Sequence, residues 1–258
     1  ERFFMDAETL SVCFALFLIA ALYASVGHGG ASGYLALLSL SSFAMLGNSW
    51  LKQHAWVLNL VVASLAFYHY QKAGYHRPKL SLIFIVASLP AAFLGGTLTL
   101  DEPMYDTLLS LALLFGAYRL SRTAHTDEVT EEAPLPSLHT TVPIGASIGI
   151  LSGMIGVGGG IFLSPILVLK RWATPKAAAA TAALFIWVNS AAGLFGAHLS
   201  GQLDLSSSPL ISFVVAVACG GFVGSKFGAQ HAPQTTVRWL LIGVLVLASF
   251  KRIADILL

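Results

Sequence analysis

Charge is what this chain lacks most. Asp, Glu, Lys and Arg make up 10% of its 258 residues, against about 25% in an ordinary soluble domain. The stretches 53–71, 80–100, 177–203 and 205–225 contain none of the four. That scarcity excludes a soluble globular fold, and a net charge of +2 gives no sign of a nucleic-acid partner. Cysteine is nearly absent too. Cys13 and Cys219 lie in apolar segments without disulfide or metal spacing, so both are expected to be packing residues, with no metal and no cofactor implied. The strict alternation that a membrane β-barrel needs is missing. A basic region ahead of the first apolar run is also missing, since the chain opens ERFFMDAETL; that run reads as a retained segment, not a cleaved signal.

What is present is apolar. Hydrophobic residues are 56% of the chain and its mean hydropathy is +0.78. Each uncharged stretch approaches the ~20 residues that cross a bilayer core as a helix. The fold class that follows is an all-α polytopic membrane protein.

The one long hydrophilic segment, SRTAHTDEVTEEAPLPSLHTT, occupies 121–141, near the middle. Across it the chain repeats itself at an offset of 129 residues. Gly27, Gly29 and Gly30 align with Gly156, Gly158 and Gly159; His69 aligns with His198, Phe93 with Phe222, and Gly95 with Gly224. Asn59 falls one residue out of register with Asn189. This divides the chain into an N-terminal transmembrane repeat (1–120), a linker (121–141) expected on the cytoplasmic side, and a C-terminal repeat (142–258). Each repeat holds about five apolar segments: 10–26, 31–46, 50–71, 80–100 and 103–120, then 142–155, 161–171, 174–200, 206–227 and 233–252. The first two of each repeat are short and meet at a glycine cluster, which predicts a broken-helix hairpin with a glycine-rich tip.

Basic residues in short loops report orientation. Lys72, Arg77 and Lys79 follow the third segment of the first repeat, Asp101, Glu102 and Asp106 lie about its fourth loop, and Arg119 and Arg122 follow its fifth. In the second repeat Lys170, Arg171 and Lys176 precede the third segment, Asp204 alone follows it, and Lys226 and Arg238 flank the last loop. Equivalent loops therefore face opposite sides, and the two repeats are expected to be inverted. Lys251 and Arg252 fall on the other side and run against this pattern.

Broken helices at matching places in inverted repeats point to a transporter's midplane site. A helix that starts within the membrane presents unpaired N–H groups and the positive end of its dipole, and glycine lets an anion approach the backbone. The candidate anion-binding residues are Gly27, His28, Gly29 and Gly30, and Gly156, Val157, Gly158, Gly159 and Gly160. Close helix packing is the other use of such glycines.

GVGGGIFLSPIL, residues 156–167, resembles the GxGGGxxxxPxL signature of the TauE/SafE sulfite exporter family of membrane transporters. Lys176 with AAAATAA, and GQLD at 201–204, are also similar to that family's pattern, and the resemblance covers essentially the whole chain. It implies export of sulfite, or transport of a related sulfur oxyanion, across a bacterial inner membrane, with lipid around the protein. The first half departs from the signature: GHGGASGYLALL has His28 within the cluster and no proline.

His28 is the one ionisable side chain in either cluster. It is suited to donate to an oxyanion or to couple transport to a proton; the alternative is a neutral ring bonded to a carbonyl. Asn59 and Asn189 offer amide donors to an anion or bonds between helices. Thr181 and Ser32 offer hydroxyls, to substrate or to packing. Lys52 and Lys176 are expected as interfacial anchors, and Trp50, Trp172 and Trp239 as members of the aromatic belt. Two alternatives stand beside sulfite export. One is import of an organosulfonate or another small anion by the same fold. The other is a rhomboid-like intramembrane serine protease, from Ser32 in GASG and His198. The sequence leaves the oligomeric state open.

Overall fold

The computed structural model describes residues 7–122, 135–205, 209–231 and 246. Its described elements are helical: α1 (Ala7–Ala24), α2 (Ala31–Ser39), a short 3-10 helix (Ser42–Leu46), α3 (Asn48–Lys72), α4 (Pro78–Thr97), α5 (Glu102–Arg122), α6 (Leu138–Ile155), α7 (Gly160–Leu169), α8 (Pro175–Leu199) and α9 (Leu210–Gln230). Five of them, α1, α4, α6, α8 and α9, are long and apolar enough to cross a membrane. The segment expected over 31–46 is divided, because α2 stops at Ser39 and the Ser41 hydroxyl accepts from Phe43 N–H to start the 3-10 turn. The last segment expected, 233–252, falls almost wholly outside the described residues.

Glycine seams set the helix directions. A Cβ at Gly220, Gly224 or Gly228 of α9 would meet the carbonyl oxygen of Phe17 or Ala21 of α1, or of Ser25 just beyond it. The two sets of numbers rise together, so α1 and α9 run parallel. Gly145, Gly149 and Gly153 of α6 lie likewise on the carbonyls of Phe84, Ser88 and Ala92, which makes α6 parallel to α4. Both seams repeat a small residue every four positions. In a bilayer, where apolar burial gives no drive between helices, such close backbone approach is the source of packing energy.

Between these pairs stand α3 and α8, 25 residues each. Trp56 packs on Gly193 and Asn59 bonds Ser190, so the two are antiparallel. The molecule thus has two chemically distinct ends. Lys72, Arg77, Lys79, Lys170, Arg171, Lys176 and Lys226 all lie at the end holding the α3–α4 and α7–α8 turns, where Arg77 donates to Trp172 O at 2.8 Å and Lys176 to Ala229 O at 3.2 Å. Glu8, Asp101 and Asp204 lie at the opposite end, where Gln53 bonds Gln202 O and Asp204 N, and Gln202 bonds Thr97 O.

Candidate functional site

Two helical hairpins enter this bundle from opposite ends. The first, α1 and α2, starts at the acidic end and returns there, with Ser42 N–H on Glu8. The second, α6 and α7, starts at the basic end and returns there, with Trp172 O on Arg77. Their tips are the two glycine clusters, and Gly27–Gly30 and Gly156–Gly160 are all buried.

The tips match in backbone conformation at two of their three aligned glycine pairs, the exception being Gly158, whose φ is 78° where Gly29 has no positive φ. Gly27 and Gly30 have φ of 75° and 101°, and their counterparts 129 positions on, Gly156 and Gly159, have φ of 93° and 81°. Gly30 and Gly159 are the residues ahead of α2 and α7, and as glycines they supply no side-chain cap of their own. The first N–H groups of both helices therefore depend on partners outside the chain segment that bears them. In α7, Phe162 and Leu163 N–H already bond Gly159 O, which leaves Gly160 and Ile161 N–H ahead of the first internal bonds.

Asn59 joins the tips. Its Oδ1 accepts from Ala31 N–H at the start of α2 (3.0 Å), and its Nδ2 donates to Val157 O (3.4 Å) and to Ser190 Oγ (3.3 Å). Gly29 and Gly158 both lie against Asn59 and Ile186, and Gly160 lies against Ile186 as well. Asn59 and Ile186 each stand midway along their helices, so the junction is at mid-depth. Tyr34 closes one side, donating to Gly29 O at 2.7 Å.

His28 is buried beside the Gly160 backbone. Its Nδ1 lies 2.9 Å from Val26 O, so the ring donates there, and Nε2 makes no hydrogen bond. The Asn189 amide is fully buried with neither Nδ2 nor Oδ1 bonded, and Trp56 Nε1 is buried and unbonded too. Buried polar groups are bonded in the great majority of cases, so this grouping marks a polar interior. Two cavities lie elsewhere. One of about 310 Å³ is apolar and lies among α5, α6 and α7; one of about 390 Å³ lies at the basic end beside Lys72 and Lys226.

Of the residues picked from sequence, Gly29, Gly158, Gly160, His28, Val157 and Asn59 meet at the junction. Thr181 is a turn or more away on α8, accepting from Ser81 Oγ at 3.4 Å. Asn59 and Asn189 do not act as a matched pair, as only Asn59 spans the tips. Ser32 shares a 2.8 Å hydrogen bond with Tyr23 OH, while His198 is exposed at the far end of α8, so the structure does not bring that pair together. Two expected anchors are placed otherwise. Lys52 is 4% exposed and Trp50 3%, because α3 is enclosed at this level and Trp50 stacks on His54 and Phe43. Lys176 is half-buried and bonds Tyr75 OH at 3.1 Å. Trp239 lies outside the described residues. Trp56 and Ile186 were not legible as site residues, though Lys52, Trp56 and Asn59 share the i, i+4, i+7 spacing of one helix face.

A family model described as "Sulfite exporter TauE/SafE" matches residues 12–252. The chain is 35% identical over 249 residues to a probable membrane transporter protein, y4hK, of Sinorhizobium fredii, covering 96% of this chain and 99% of that one. It is 26% identical over 231 residues to the probable membrane transporter protein YdhB of Bacillus subtilis, covering 84% and 89%. No solved structure matches it. A buried polar junction in a bundle of apolar helices agrees with those relatives, and the chain is a multi-pass membrane transporter belonging to the TauE/SafE family.

Proposed function

We propose that the protein exports sulfite, or a closely related small sulfur oxyanion, across a bacterial inner membrane. The anion sits where the tips of the two hairpins meet, bound by Gly27–Gly30, Gly156–Gly160, Asn59 and Asn189, with Thr181 a turn or more along α8 toward the basic end as a contact on its path. The observation that carries this reading is the convergence of two helix starts, α2 with its Ala31 N–H on Asn59 and α7 with no side-chain cap, on one buried point beside the unbonded Nε2 of His28. Helix N-termini favour anions through their N–H groups and dipole, and a transporter need not hold a full counter-charge there.

His28 links the anion to a proton. Since Nδ1–H is committed to Val26 O, a neutral ring offers only a bare Nε2, which is an acceptor. An oxyanion is held at Nε2 only if the ring takes a second proton or the anion brings one. Either way one proton accompanies one anion, and binding weakens as pH rises.

Alternating access follows from inverted repeats, 1–120 and 142–258, joined by the linker 121–141. Three features support the inversion. The hairpins enter from opposite ends. Helices α1 and α6 have 18 residues each, and α3 and α8 have 25. Gly95 lies on Ile150 O as Gly224 lies on Ala21 O, each pair related by the offset of 129. One repeat rocking on the other opens the junction to each end in turn. The excess of lysine and arginine at one end supports a cytoplasmic position for that end. The test is flux of labelled sulfite into liposomes, with thiosulfate, sulfate and a sulfonate as competitors, with and without a pH gradient. Saturable sulfite flux driven by the gradient supports the reading. Its absence, with flux of another anion, reassigns the substrate.

A further inference from the structure

Lys52 stands one turn inside α3 at the acidic end, 4% exposed. Its Nζ donates to Leu98 O at 3.2 Å and lies 5.2 Å from the centre of the Trp56 ring. Among the described residues it makes no ion pair. An ammonium carries three N–H donors, and one carbonyl with one aromatic face leaves it short of bonds and of a counter-charge. A buried charge without a partner is costly, and at membrane depth such a residue is a functional candidate.

Its surroundings give it a task. A small cavity of about 30 Å³ opens between Asn48, Ser49, Lys52, Thr99, Tyr105 and Met154. On the other side the Lys52 stem touches the second tip, where a Cβ on Gly156 would lie 2.8 Å from Lys52 Cγ. Along α3, Lys52, Trp56 and Asn59 occupy one face over two turns, about 10 Å. That face leads from the cavity to the junction of the tips. Trp56 Nε1, buried and unbonded, supplies a donor on the way. At the first tip the residue in the place of Lys52 is Ala179, against which Gly27 lies as Gly156 lies against Lys52. The lysine of the basic end, Lys176, is half-buried and bonds Tyr75 OH and Ala229 O, so only the second tip has a lysine against its glycines.

We infer that Lys52 forms an anion subsite between the acidic end and the second glycine tip, holding a small oxyanion as it passes to or from the junction. The inference rests on the reading of the junction as an anion site. It gives the transported ion its counter-charge at the end where Glu8, Asp101 and Asp204 would otherwise repel it.

The test uses purified full-length protein in lipid nanodiscs and sulfite as the probe, with affinity measured by calorimetry and thermal unfolding measured without ligand. Lys52→Met and Lys52→Gln are expected to bind sulfite at least tenfold more weakly, with a ligand-free melting temperature no lower than wild type, since each removes an unpaired buried charge. Lys52→Arg, which keeps the charge, is expected to bind more tightly than both. Wild-type affinity in Lys52→Met overturns the inference while the junction reading stands. A lowered melting temperature in both neutral variants also overturns it, assigning Lys52 to structure. Failure of the wild-type protein to bind sulfite, thiosulfate, sulfate or a sulfonate overturns the junction reading and this inference together.

Discussion

Replacing Gly158 by alanine separates the demands of the second tip from ordinary glycine strain. Gly158 has a φ of 78°, where an L-residue costs about 1–2 kcal/mol. The added Cβ would also lie 2.5 Å from Asn59 Nδ2, 2.9 Å from Ile186 Cγ2 and 3.2 Å from Ser190 Oγ. Asn59 cannot turn aside freely, because Oδ1 holds Ala31 N–H and Nδ2 holds Val157 O and Ser190 Oγ. Displacing that amide leaves buried groups unbonded, at about 1–3 kcal/mol, so the total is about 2–5 kcal/mol. Gly74→Ala is the control. Its φ is 84° and nothing lies within 4 Å of its Cβ position, which leaves the strain alone, about 1–2 kcal/mol. Unfolding of both variants in mixed micelles, beside sulfite flux in liposomes, gives the comparison. Gly158→Ala is expected to lose about 1–3 kcal/mol more than Gly74→Ala and at least nine-tenths of the flux, while Gly74→Ala transports normally. Equal losses of stability in the two variants, or normal flux in Gly158→Ala, would refute the account of the tip.

Other residues give further tests. Wild-type sulfite affinity is expected to fall with rising pH, and His28→Ala to remove this fall, read by calorimetry across pH; an unchanged profile makes His28 structural. Asn59→Asp keeps the acceptor for Ala31 N–H but puts a charged oxygen where Nδ2 donates to Val157 O and Ser190 Oγ, so flux should be lost while the protein remains monodisperse on size exclusion. Gly224→Leu sets a side chain on the Ala21 carbonyl, where backbone cannot yield, and should exceed the 1–3 kcal/mol typical of overpacking. Phe222→Leu, two residues away and 48% exposed, should melt within a few degrees of wild type.

How much of this was legible in the sequence depends on whether a residue acts through its type or its placement. The helices follow from apolar length, and the ends of α1, α2, α6 and α7 follow from glycines that tolerate positive φ. The seam glycines were legible only in part. Gly95 and Gly224 stood out through the repeat, while Gly149 and Gly220 become meaningful only once the carbonyls of Ser88 and Phe17 are seen against them. Lys52 was misplaced because a lysine near a helix start has the same local sequence whether the helix edge faces lipid or another helix. Its burial is decided by Gly156, more than a hundred residues away. Asn59 and Asn189 were paired by near-register, but one residue on a helix is a rotation of 100°, enough to send Asn59 to both tips and leave Asn189 unbonded.

That rotation bears on how the transporter works. The backbone of the tips repeats in part, with Gly27 and Gly30 matching Gly156 and Gly159 in conformation while Gly158, unlike Gly29, has a positive φ, and the side chains do not repeat. His28 stands opposite Val157, Lys52 opposite Thr181 and Asn59 opposite Val188 at the common offset. The first half supplies the ionisable and bridging groups, and the second supplies the fuller glycine signature. A symmetric site would bind the anion equally when open to either end. In the proposed mechanism Lys52 adds affinity only toward the acidic end, and His28 ties affinity to a proton. Such asymmetry cannot set the net direction of flux, which the gradients of anion and proton determine. It sets the ratio of affinities in the two open states, since a ligand shifts a conformational equilibrium only by its differential binding. Measured from the two sides of oriented liposomes, half-saturating sulfite concentrations should therefore differ in wild type and converge in Lys52→Met. If they stay apart in Lys52→Met, the asymmetry resides in His28 or Asn59 instead.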